Sequence, residues 1–325
     1  MSKRRITQQQ SHRIHQKQSR YQERVAPGAF SEGLVIKRYN RIALVEMDDG
    51  QRVRCSIRPD IDALVAGDRV LWQPMEHGNG VVLSVLPRQS VLSRPDYRGV
   101  FKPVAANISQ VMIVVAPIPA ISWVLLDSYL VMTEVLHLQA CIVLNKTDLD
   151  VFEKEAVSLQ EQLKAIYQPL GYALLCLSKK NTAQDDALVK TLSGQTSVFV
   201  GQSGVGKSSI ISRILPEEGG IETQAVSESS SLGQHTTSNS CLYHLACGGH
   251  LIDSPGVREF GLWDMPIRNI ADGFREFRTP LTQCQFRNCN HQDTPGCAVL
   301  EALHEGLISP IRYESYVKLM LKFVG

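Results

Sequence analysis

Residues 197–208 read Ser-Val-Phe-Val-Gly-Gln-Ser-Gly-Val-Gly-Lys-Ser: an apolar strand-like run, a glycine-rich turn, then a lysine and a hydroxyl opening a helical stretch. Glycines let backbone amides turn inward around an anion, and a helix N-terminus adds its partial positive charge. Strand, glycine loop and helix in this order are the context a phosphate-binding loop requires. The loop from Gly201 through Gln202, Ser203, Gly204, Val205 and Gly206 is expected to cradle phosphates. Lys207 is expected to neutralise the β- and γ-phosphates, and Ser208 to ligate Mg²⁺.

Phosphate loops serve several nucleotides, so base specificity needs a second motif. Asn145-Lys146-Thr147-Asp148 stands directly after the apolar run 141–144. The Asp148 carboxylate can accept two hydrogen bonds from guanine, whereas adenine offers no such donor pair and would leave it unpaired. Asn145 can reach the base's other edge while the Lys146 stem packs over the ring. Ser178-Lys179-Lys180, also after a strand, stands where a base-cradling loop belongs; by itself the triplet also reads as a surface loop.

Downstream, Asp253-Ser-Pro-Gly256 follows the strand 250–252. It suits a carboxylate that reaches Mg²⁺ through water, with the Gly256 amide near the γ-phosphate. A plain Asx turn would share that sequence. Between the two lies Gly233-Gln-His235-Thr236-Thr237-Ser238, where Thr236 or Thr237 would complete the Mg²⁺ shell. The order is the unusual feature. In ordinary GTPases the phosphate loop comes first; here the guanine motif at 145–148 precedes the loop at 201–208 and the acidic motif at 253–256. A doubly wound sheet tolerates such circular permutation because only the chain break moves.

Outward from these motifs, strands and helices alternate over 110–253, which predicts a parallel-rich α/β domain. The Ser/Gly-rich stretch 219–240 reads as a mobile insertion. Before this domain, five short strands in 34–86, with Asp49-Gly50 as a hairpin signal, suit a small closed barrel. An OB-fold is the natural candidate, although an SH3-like barrel would read much the same. The predicted domains are a basic disordered arm (1–32), the barrel (33–100), the permuted domain (101–265) and a helical zinc-binding domain (266–325). Within them, 89–105 reads as a linker without a clear period.

Composition agrees. The 325 residues are 43% hydrophobic and 20% charged, values of an ordinary globular protein. No apolar run reaches membrane-spanning length, and MSKRRITQQQ lacks the apolar core of a secretory signal, so a cytoplasmic protein is expected. Net charge is only +2, yet residues 1–30 alone carry +6. Such a basic arm suits contact with nucleic acid or simply keeps the chain soluble. Of eight cysteines, Cys284, Cys289 and Cys297 cluster around His291. Three thiolates and one imidazole make a closed tetrahedral set, expected to hold one structural Zn²⁺. Nearby Arg275, Arg278 and Arg287, with Phe274 and Phe277, read either as an RNA-facing surface or as a solvated helix face over two core aromatics.

Barrel, NKTD, GQSGVGKSS (through Ser209), GQHTTS, DSPG and Cys-x4-Cys-x-His-x5-Cys together resemble one family closely, the circularly permuted, ribosome-dependent bacterial GTPases of the RsgA type. The resemblance implies α/β architecture: a permuted P-loop GTPase domain between an N-terminal OB-fold and a C-terminal zinc-binding domain. It further implies GTP hydrolysis to GDP, stimulated by the 30S ribosomal subunit, in late maturation of that subunit with its 16S rRNA. No membrane partner is expected, and a monomer is. Val257 stands where Ras-like enzymes carry the water-orienting Gln, so His235 is the expected catalytic residue, to which the resemblance also points. Gly204 replaces the Asn of potassium-activated GTPases, so a potassium requirement through that contact does not follow. The alternative is a nucleotide-gated RNA-binding scaffold in which hydrolysis is incidental.

Overall fold

At Asp49-Gly50 the backbone turns as its sequence predicts. Gly50 takes φ 82°, a left-handed conformation that glycine adopts without strain, and the Asp49 carboxylate accepts from the Gln51 amide at 2.9 Å. The turn joins β2 (Ile42–Glu46) to β3 (Arg52–Ile57) as a hairpin. The structure is a computed structural model that describes residues 30–61, 63–96, 98–148, 153–178, 183–215, 240–253 and 267–324. The chain divides into two compact units between Arg88 and Gln89.

In the first unit, β1 (Ser31–Tyr39) pairs with both β2 and β4 (Arg69–Pro74), while β5 (Gly80–Val85) joins β3 to β4. Five strands therefore close into an OB-like barrel, which settles the alternative left open by the strand count. Closure needs sharp bends. A bulge between Val35 and Lys37 buries the adjacent Val35 and Ile36 together. Gly33 and Gly80 sit where a Cβ would meet Val45 or Trp72, so the barrel wall can come close only at glycine. Val45, Cys55, Leu64, Val70, Trp72 and Val82 fill the interior.

The stretch 89–105 is not a linker. β6 (Val91–Pro95) and β7 (Phe101–Ala106) form an antiparallel hairpin. Asp96 caps its turn, accepting from the amides of Arg98 at 2.8 Å and Val100 at 3.0 Å. Pro95 and Pro103 argue against strands in the sequence, but a two-stranded ribbon has free edges where a missing N–H costs nothing.

The second unit is built on parallel strands: β8 (Gln110–Val115), β9 (Gln139–Leu144), β10 (Ala173–Cys176), β11 (Thr196–Val200) and β13 (His250–Asp253), with β12 (Cys241–His244) antiparallel at β13. Their order is β10-β9-β8-β11-β13-β12. All six residues of β8 are buried, as a strand covered on both faces must be. Met112, Val114, Cys141, Val143 and Phe199 face one layer, made by helices α3 (Ala183–Leu192) and α4 (Lys207–Ile214). Helix α1 (Trp123–Val135) packs on β8 and β9, and α2 (Glu153–Tyr167) on β10.

Beyond the sheet come α5 (Ile267–Asp272), a 3₁₀ turn (Arg275–Phe277), α6 (Arg278–Leu281), α7 (Ala298–His304) and α8 (Pro310–Val324). They belong to the same compact unit as the sheet. Helix α8 lies against α1 and α5. No helix among the described residues is long and apolar enough to cross a membrane.

Asp68 gives a test of the barrel. It is fully buried, accepts from the Val65 amide at 2.8 Å and takes both arms of Arg88, at 2.7 and 2.8 Å. Asp68→Ala leaves a buried amide without its acceptor and the Arg88 guanidinium without its carboxylate, so about 3–5 kcal/mol of stability should be lost in urea unfolding. A loss under about 1 kcal/mol would show that water replaces the carboxylate.

Candidate active site

Parallel strands bring their carboxyl ends to one edge, and the chain's path decides where on that edge a ligand fits. From β8 the chain runs outward through β9 and β10, then returns to the other side of β8 as β11. Loops leaving β8 and β11 therefore diverge, which opens a crevice at their carboxyl ends. The phosphate loop leaves β11, Asn145 follows β9, Ser178 follows β10 and Asp253 ends β13.

Two glycines of the loop, Gly201 and Gly206, have a local reason. At Gly201, φ is 138° and a Cβ would strike the Val114 carbonyl; at Gly206, φ is 95° and a Cβ would strike the Asn145 amide. Helix α4 begins at Gly206 with no side-chain cap, which leaves its dipole end to a ligand. Lys207 is buried, and its ammonium donates to the carbonyls of Gly201 at 2.7 Å and Gln202 at 2.6 Å. Ser203, Gly204, Ser208 and Ser209 are exposed, while Val205 is buried beneath them.

Three further segments are stitched to this loop. The Asn145 side chain donates to the Val205 carbonyl at 2.9 Å, so its amide nitrogen braces the phosphate loop. Lys146, at φ 62°, spans from the Gly204 carbonyl (2.6 Å) to that of Ile118 (3.0 Å). The Thr147 hydroxyl donates to the Leu177 carbonyl at 3.0 Å, tying the β9 loop beside buried Ser178. Asp148 follows, half-buried. Lys179, His235, Thr236, Thr237 and Gly256 lie outside the described residues, as does the insertion 219–240 apart from Ser240.

Sequence reasoning missed the loop 116–122. Gln202 accepts from the Ser122 amide at 3.1 Å and donates to the Ala120 carbonyl at 3.2 Å. Ser122 is also the N-cap of α1, its hydroxyl accepting from the Leu125 amide at 3.4 Å. The signal was there in Pro117 and Pro119, which end the β8 run and force a loop.

In the C-terminal segment, Cys284, Cys289, His291 and Cys297 present ligand atoms all within 4.8 Å of one another. The Nδ1 of His291 lies 3.5 Å from the Cys284 sulfur and 3.6 Å from that of Cys297. Tetrahedral zinc, with Zn–S of about 2.3 Å and Zn–N of about 2.05 Å, would set sulfur and nitrogen about 3.5 Å apart. The donor set therefore fits one zinc ion. Burial holds the His291 imidazole below its ordinary pKa, favouring the neutral form that a metal needs. Of the neighbouring side chains, Arg275 and Arg278 bind Glu134, and Phe274 and Phe277 are fully buried, as the core reading of the two aromatics has it. Arg287 is exposed.

A doubly wound sheet carrying a phosphate loop, with its guanine motif earlier in the chain, defines a circularly permuted GTPase. The RsgA GTPase family model matches residues 85–263, and the chain belongs to that family, whose reaction is GTP hydrolysis with Mg²⁺. Two relatives named small ribosomal subunit biogenesis GTPase RsgA are similar along the chain. That of Haemophilus influenzae (strain PittGG) is 43% identical, covering 98% of this chain and 96% of its own. That of Actinobacillus pleuropneumoniae serotype 5b (strain L20) is 46% identical, covering 98% and 95%. Among solved structures, YjeQ from Thermotoga maritima superposes with a TM-score of 0.75 at 31% identity, over 91% of this chain and 99% of that one. YloQ, a circularly permuted GTPase, gives 0.70 at 25%, over 92% and 97%.

Asn145→Ala tests the stitching. It leaves the buried Val205 carbonyl unpaired, so stability should fall by about 1–3 kcal/mol in chemical denaturation, with GDP affinity falling too. Unchanged GDP affinity would show that the phosphate loop holds its form alone.

Proposed function

We propose that this GTPase acts on the small ribosomal subunit during its late maturation and that the subunit stimulates hydrolysis. The observation that supports the reading best is the phosphate loop tied through Asn145 and Lys146 to the guanine motif. It pairs with relatives named for small-subunit biogenesis along almost the whole chain. In this reading the amides of residues 201–206 and the first turn of α4, with Lys207 and Ser209, hold the phosphates. Asn145, Lys146, Asp148, Ser178 and Lys179 frame the guanine. Ser208 and Thr236 or Thr237 hold Mg²⁺, with Asp253 and Gly256 on the γ-phosphate side. Bound Mg²⁺ supplies charge neutralisation of the β- and γ-oxygens.

His235 orients the attacking water in place of the glutamine that Val257 displaces. One zinc ion on Cys284, Cys289, His291 and Cys297 is structural, since four protein ligands leave no open position. The arm 1–32 adds affinity for 16S rRNA by releasing counterions, and the protein works as a cytoplasmic monomer.

The test is GTP turnover with and without purified 30S subunits. Stimulated turnover supports the reading; equal turnover at saturating subunits would leave only a nucleotide-gated scaffold.

Two variants sharpen the test. Asp148→Asn should weaken GTP binding by about 2–4 kcal/mol, because an acceptor for two donors is lost. Wild-type protein that bound ATP and GTP equally would refute that role. His235→Ala should keep GTP affinity and 30S binding but lose most stimulated turnover. Full stimulated turnover in that variant would move the water to the backbone or to rRNA.

A further inference from the structure

Helix α1 holds the phosphate loop at one end and the C-terminal segment along one face, and one residue of that segment is not used by the nucleotide reading. At the N-terminal end of α1, the Ser122 amide and the Ala120 carbonyl grip Gln202 of the phosphate loop. Along the helix, Asp127, Val131 and Glu134 recur at i, i+4 and i+7, which places them on one face. That face carries the docking of the C-terminal segment. Asp127 accepts from Arg312 of α8 at 2.6 Å, Gly273 closes on Val131 where a Cβ would not fit, and Glu134 takes Arg275 and Arg278.

Arg312 is fully buried. Its fork reaches Asp127 in one direction and Glu276 in the other, at 2.6 and 3.0 Å, over the Phe274 ring. On the same helix, Tyr313 donates to the His291 carbonyl at 2.9 Å and Tyr316 to that of Asn290 at 3.3 Å. One helix thus holds the backbone of the Cys/His cluster, and through Arg312 it fixes the helix that grips the phosphate loop.

We propose that Arg312 is a positioning residue for the phosphate loop, acting through Asp127, α1 and Gln202. The inference rests on the reading of residues 201–208 as the nucleotide site. Arg312 touches no part of that site, so its effect must appear as coupling. A lysine in its place keeps the charge but cannot reach both carboxylates with a planar fork, which loosens α1 without leaving a buried anion uncompensated.

The experiment measures affinity and dissociation rate for fluorescently labelled GDP on the full chain. Wild type is compared with Arg312→Lys, Gln202→Ala, the double variant and Lys207→Ala. Arg312→Lys should weaken GDP about fivefold, within the range that residues remote from a ligand produce, mainly through faster release. Gln202→Ala should have a similar effect, and adding Arg312→Lys to it should change little, because the connection is already cut. A purely structural role for Arg312 would lower the unfolding temperature while leaving GDP affinity of the folded protein as in wild type, and that result would overturn the inference. Additive losses in the double variant would overturn it as well. If Lys207→Ala bound GDP like wild type, the nucleotide reading itself would fall, and the inference with it. Should Arg312→Lys not fold, isosteric Asp127→Asn removes the same charge pairing and carries the same expectation.

Discussion

One guanidinium placed between two carboxylates, out of contact with water, is what the second unit is arranged around. Arg312 and Asp127 are fully buried, and Tyr167 completes the group by donating to Asp127 at 2.8 Å. Burial pushes the Asp127 carboxyl above its ordinary range, partly offset by Arg312, while the two carboxylates keep Arg312 firmly cationic. Such clusters add little net stability, because desolvation consumes most of the Coulomb gain; removing one member alone costs about 3–5 kcal/mol. What the cluster does supply is geometry. A planar fork meets its carboxylates in few arrangements, so α8 can sit on α1 in one register. The 3₁₀ turn bearing Glu276 and the stacked pair Phe274 and Phe277, with Tyr316 edge-on to both, are then fixed with it.

The sheet imposes the complementary constraint. Because five strands are parallel, every loop able to touch a ligand leaves from the same edge, whatever the order in which the chain visits the strands. Permutation therefore costs the site nothing. It changes only what is attached to each end: the C-terminal helices come after the acidic motif in the sequence, and they pack on α1, the first helix after β8. The pair Arg312–Asp127 spans 185 positions in the sequence. The chain's last helix is locked to the start of the GTPase core.

Much of this was legible in the sequence, and for physical reasons. The phosphate loop, the guanine motif and the strand pattern of the barrel are local: turn glycines, alternating apolar residues and a lysine at fixed spacing determine them within a few positions. The Cys/His set was legible because four metal-binding side chains rarely crowd into so short a segment. The β6–β7 hairpin was hidden by its prolines. The C-terminal segment was legible as short helices around the cysteines, but the way it packs on α1 was not. Its docking depends on Arg312 and Asp127, two charged residues that read as surface positions until their partners are known. Phe274 and Phe277 left two readings open, because cations flank them in sequence, and the rings turn inward as the core reading has it.

Helix α1 joins these observations. The apolar spacing of Val124, Leu125, Tyr129, Met132 and Leu136 marks one face, yet residues 126–133 are buried without exception. A helix with one apolar stripe can shift against solvent; a helix enclosed on all sides can move only if its neighbours move with it. Here the neighbours are the sheet, the loop that grips Gln202, and the helix that holds the Cys/His cluster. Close packing makes such an arrangement bistable rather than continuously deformable. On the proposal made for Arg312, a shift of α8 would reach the phosphate loop through Asp127 and α1, because no other charged pair joins those two helices among the contacts described.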